Sequence, residues 1–131
     1  MSAPARFLGR ALFAPLFYAG ARNAISKADG VAGLIDKRRA QVGLTDLPVS
    51  SKQLVQVNGA TQIGLSTTMA LGIAPRLSAL GLIGSLVPTT LAGHAFWEED
   101  DETAKNNQLL QFVKNAAVVG GLLYVSGAPK R

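Results

Sequence analysis

The chain has no cysteine, a single histidine, a single tryptophan and little charge of either sign. Without cysteine there is no disulfide scaffold and no thiolate metal site. One histidine among scattered acids offers no ligand spacing, so no metal centre is expected. Charged residues are 16% of the 131, well below the roughly 25% of a soluble domain. A soluble bundle of this size would lack the charge to cover its surface. The 14 glycines lack both phosphate-loop spacing and a preceding strand, and no nucleophile stands beside a base in a recognisable motif. The net charge of +5 is divided between the two ends of the apolar segments, which disfavours a nucleic-acid footprint.

What the chain does have is apolar length. Hydrophobic residues make up 48%, gathered into four stretches near 7–26, 53–74, 77–97 and 108–127. About 20 apolar residues of helix cross a hydrocarbon core of ~30 Å, so each stretch is long enough to span. The expected fold is all-α: a single membrane domain over 1–131, built as an integral membrane antiparallel four-helix bundle. MSAPARFLGR followed by ALFAPLFY has the form of a secretory signal, but 7–26 is read as the first membrane helix, bent by Pro15. Residues 28–51 form the long connection, with VAGLIDKRRAQVGL as a short interfacial helix or a solvated basic loop. In the interfacial version Leu34 and Ile35 point down, and Lys37, Arg38 and Arg39 point to headgroups. Ser50 or Ser51 is placed to cap the second membrane helix, and Pro75 to end it. Residues 98–107 are expected to be an acidic loop.

Helices in lipid associate through close backbone approach and a few polar contacts. Small residues four apart recur in all four stretches, and Gly64, Gly81, Gly120 and Gly121 are the expected packing positions. Polar residues gather toward one end of the bundle. Arg22 closes the first stretch; Asn58, Gln62 and Ser66 form a stripe on the second; Thr90 and His94 share a face of the third. Gln111 and Asn115 share a face of the fourth, with Lys114 beside them. Cations at membrane depth are costly and are normally paired or functional. The run Glu98-Glu99-Asp100-Asp101-Glu102 leaves at the same end, where it would neutralise Arg22, Lys114 and the basic loop 37–39. The expected candidate site for a quinone or lipid is therefore Arg22, Asn58, Gln62, His94, Trp97, Gln111, Lys114 and Asn115. The alternative is that these groups only satisfy one another and hold register. The termini and the 74–76 turn carry Arg6, Arg10, Arg76, Lys130 and Arg131 without an acid, which points both termini to the cytoplasm.

The stretches FLGRALFAPLFYAGARNAI, NGATQIGLSTTMALGIAPRLSALGL, and GHAFW with QLLQFVKNAAVVGGLLYVSG resemble the DoxX family of small four-helix membrane proteins. The resemblance covers nearly the whole chain except 28–51, and Arg22-Asn23 stand where the family often has a lysine. It puts His94, Phe96, Trp97, Phe112, Lys114 and Asn115 on the family pattern as a candidate site. It implies membrane redox machinery, since the family takes its name from subunits of thiosulfate:quinone oxidoreductase.

From this follow three expectations. The first is an accessory, non-catalytic subunit of a respiratory or other oxidoreductase complex in a cell membrane of the bacterial inner-membrane type, partnered by other subunits and, at its charged loops, a soluble protein. The second is a quinone-interacting subunit; the third is a small carrier of a hydrophobic solute. No covalent cofactor is expected.

Overall fold

A computed structural model describes residues 2–129, so the tail Lys130-Arg131 lies outside the described residues. Those residues form six α-helices and one 3-10 turn, with no strand among them. They are α1 (Ala3–Ala11), α2 (Phe13–Ser26), α3 (Ala28–Gln41), α4 (Ser51–Ala70), α5 (Pro75–Gly93) and α6 (Glu102–Gly127). The turn, Phe96–Glu98, joins α5 to α6.

Each departure from the sequence reading has a local cause. The first stretch is two helices, broken at Leu12. Pro15 lacks the N–H that would bond Ala11 and its ring crowds that carbonyl, so the helix restarts at Phe13. The 28–51 connection takes the helical one of its two readings, as α3, but not all of the helix's cations point outward. Arg38 turns inward, donating from Nε to Ala92 O at 3.1 Å and from Nη1 to Glu98 at 2.5 Å. Arg39 bonds Leu44 O, Val49 O and Ser51 Oγ, tying the 42–50 loop to the start of α4. Lys37 alone of the three is mostly exposed.

Ser50 caps α4. Its hydroxyl accepts from Gln53 N at 3.1 Å while Gln53 Oε1 accepts from Ser50 N at 3.0 Å, a reciprocal box. The helix stops at Ala70, where Gly72 at φ +78° turns the chain. Pro75 therefore opens α5 and does not close α4, in the first-turn position where its missing N–H costs nothing. At the far end, α5 ends at Gly93 and His94 is its C-terminal cap residue, its N–H still donating to Thr90 O at 2.9 Å. The acidic segment 98–107 is a loop only as far as Asp101. That residue caps α6, accepting from Ala104 N at 2.9 Å, and Glu102 begins the helix. Negative side chains belong at a helix start, where four N–H groups point outward unpaired.

In the packing, α4 lies between α2 and α5, α6 packs on α5, and α3 crosses α4 and α5 at one end. The core is Phe17, Met69, Ala79, Leu82, Leu86 and Leu122. Burying each large one contributes roughly 1.5–3 kcal/mol if the alternative is water. Outside this core the surface is apolar: Leu77 and Tyr124 are each 71% exposed and Leu110 is 68% exposed. Two segments, Pro75–Glu98 and Glu102–Gly127, are long and apolar enough to cross a membrane, with mean hydropathy 1.3 and 1.4. Only 28% and 11% of an apolar 18-residue stretch within each is buried, whereas the core helix of a soluble protein would be mostly covered. Their apolar side chains face outward, as lipid requires.

Candidate functional site

The polar residues of α4, α5 and α6 meet in two clasps. Asn58 Nδ2 donates to Thr89 Oγ1 at 3.0 Å, and its Oδ1 accepts from Ser85 Oγ at 2.5 Å. Gln62 Nε2 donates to the same Ser85 hydroxyl at 2.9 Å. One turn of hydroxyls on α5 thus answers one turn of amides on α4. The second clasp is buried Asn115, whose Nδ2 donates to Thr90 Oγ1 at 2.9 Å and binds α6 to α5. Ser66, third in the α4 stripe, instead bonds Ile63 O within its own helix. Sequence reading missed the partners Ser85 and Thr89. Their spacing of four placed them on one face, but nothing in the chain said that this face meets Asn58.

Nearer the charged end, His94 Nδ1 lies 2.7 Å from Gln108 Oε1, and Lys114 Nζ donates to Gln111 Oε1 at 2.7 Å. Between these groups and α2 the bundle is open. α2 and α6 meet only at the other end, where a Cβ on Gly121 would stand 2.9 Å from Phe13 Cζ. The resulting cleft, about 690 Å³, is lined by Asn58, Gln62, His94, Gln111, Lys114 and Asn115 among the expected residues. Gln108, from the start of the fourth stretch, and Asn107, from the segment read as loop, join them. Leu16, Phe17, Leu86 and Leu110 form its apolar wall.

Two expected members are elsewhere. Arg22 is exposed and does not line the cleft. Trp97 belongs to an aromatic triad, edge-on to Phe96 at 5.2 Å and to Phe112 at 6.1 Å between ring centroids. Of the neutralisation expected from the acidic run, the part on the basic segment 37–39 is met, and the part on Arg22 and Lys114 is not. Among the described residues Glu98 pairs with Arg38 and Lys37, and Lys52 with Asp29. Of the packing glycines, Gly81 and Gly121 sit where a Cβ would collide, with Leu65 at 2.6 Å and Phe13 at 2.9 Å. Around Gly64 and Gly120 the space is open, so neither sets a helix approach within the chain. Gly59, against Ile25 at 2.7 Å, was not anticipated.

Chemically, the cleft presents amides, an imidazole and an ammonium above an apolar wall. No carboxylate lines it, and no cluster of three His, Cys, Asp or Glu side chains that could hold a metal occurs among the described residues. Such a surface can hold a polar head and an apolar tail.

The model of the family described as DoxX matches residues 5–95, which takes in most of α1 and all of α2 to α5 and ends before α6. No curated protein and no solved structure matches the chain. The helices, their outward apolar faces and a family model covering more than half of the length give one conclusion: the chain belongs to the DoxX family of membrane proteins.

Proposed function

We propose that this chain crosses a bacterial-type cell membrane four times and serves as a non-catalytic subunit of a membrane oxidoreductase complex. The crossings are the broken rod α1–α2, then α4, α5 and α6, with α3 at the charged face and both termini cytoplasmic. The observation that carries an accessory role is how the polar groups are used. Asn58, Gln62, Ser85, Thr89, Thr90 and Asn115 bond one another across helices. Arg10, Arg38 and Arg76 each donate to a carbonyl at a helix end, Met69, Ala92 and Ala128. These residues serve helix register and helix termini. The family's association with membrane redox machinery supplies the partner class.

The cleft favours a second reading, in which a quinone or another lipid-like molecule seats its head near His94 and Lys114. The two readings separate on one preparation of the complex in mild detergent. Under the accessory reading, His94→Ala with Lys114→Ala leaves quinone-linked turnover and the co-purifying subunits unchanged. Loss of turnover from an intact complex favours the quinone reading. If the chain purifies with no redox subunit, both are wrong.

A further inference from the structure

Lys114 is the thirteenth residue of the 26-residue α6. At 1.5 Å per residue it lies roughly 18 Å along the helix from Glu102, beyond reach of the acidic run. Its recorded partner is the neutral Oε1 of Gln111, and the ion pairs among the described residues do not include it. The arginines at the other end, Arg10 and Arg76, are treated differently, since each sits on the carbonyls that end a neighbouring helix. An ammonium in a lipid-facing helix is expensive unless an anion answers it. It faces the 690 Å³ cleft, which is lined by amides and His94 and by no carboxylate.

We infer that the cleft is the seat of one anionic amphiphile, its negatively charged oxygens on Lys114 and its acyl chain leaving sideways between α2 and α6. The inference rests on the reading of the cleft as a ligand site and adds the charge of the ligand. Three features fit that chemistry. The only charge on the wall is positive. Gln108 and Gln111 engage their neighbours through their carbonyl oxygens, which leaves both side-chain N–H2 groups for an acceptor. The α2 rim leaves room for the acyl chain: a Cβ on Gly20 would meet nothing within 4 Å. The head is a phosphodiester if the source is a bilayer phospholipid, and a carboxylate if it is a free fatty acid.

The test is native mass spectrometry of the full chain in uncharged detergent, offered in turn phosphatidylglycerol, oleate, diolein and decyl-ubiquinone. One bound phosphatidylglycerol or oleate is expected per chain, and which of the two identifies the source. Retention should exceed that of diolein, which has the acyl chains but no anionic oxygen, by about tenfold, the worth of one charge-assisted hydrogen bond. Lys114→Met should lose that preference and Lys114→Arg keep it. Gly20→Leu, which narrows the cleft with every charge in place, should lose the ligand while helix content by circular dichroism stays that of the parent. Equal retention of diolein, or indifference to Lys114→Met, overturns the inference. If decyl-ubiquinone alone binds and Gly20→Leu expels it, the cleft remains a ligand site and the anionic head is wrong. If no compound binds, both fall.

Discussion

At the scale of single residues, the same residue type does different work on adjacent positions. Gly120 and Gly121 are neighbours, and both have alanine four residues before them. Sequence spacing treats them alike. The structure turns Gly121 toward the Phe13 ring and Gly120 to open space. Overpacking a tight site costs about 1–3 kcal/mol. Gly121→Leu is therefore expected to lower the thermal midpoint in detergent by several degrees, while Gly120→Leu leaves it within about a degree of the parent. Equal shifts would mean that the two positions share one environment. What was readable here was chemical type, and what was not readable was direction. Asn58, Gln62, His94, Gln111, Lys114 and Asn115 stood out because polar groups are rare in these stretches, and all six line the cleft. Arg22 stood out for the same reason and faces away from it, because rarity carries no information on which way a helix is rotated.

Helices divide the same way. Ser50 followed three residues later by Gln53 is a local signal, and Ser50 forms the cap. The start of α6 was hidden because five consecutive acids suggest a solvated loop. Their place at a helix N-terminus depends on the macrodipole of residues that come later. The α3 helix was obscured by Gly30 and Gly33, which lower helix propensity, and its support comes from other elements. Arg38 supplies that support by bridging α3 to Ala92 O and to Glu98. Arg38→Gln should leave α4, α5 and α6 folded and release α3. Hydrogen exchange over 28–41 is expected to quicken about tenfold or more, consistent with the loss of charge-assisted bonds, with little change over 75–93. Uniformly faster exchange along the chain would show that the bridge holds more than one element.

For the whole molecule, the absence of cysteine becomes useful, since any introduced thiol is the only one present. The loop 42–50 and the α5–α6 connection share one end of the bundle, joined by Arg39 to Ser51 and by Arg38 to Glu98. Ala128, next to Pro129, lies at the opposite end, where its carbonyl accepts from Arg76. Asp46→Cys and Asp100→Cys should both react with a membrane-impermeant maleimide on intact cells. Pro129→Cys should react only after permeabilisation. Labelling of all three from one side would exclude the four-crossing topology, and a reversed pattern would exclude cytoplasmic termini.

The interruption at Leu12 also bears on the surrounding lipid. It leaves rods of nine and 14 residues, about 13 Å and 21 Å long. Neither matches a ~30 Å hydrocarbon slab by itself, so the two would reach across it only in line, through Leu12, which keeps right-handed helical dihedrals. With Leu12 the two rods together extend about 36 Å, against about 39 Å for the unbroken 26 residues of α6. On the four-crossing proposal, a bend at Leu12 is what would bring this flank below the depth of α6, and the acyl layer beside it would then thin.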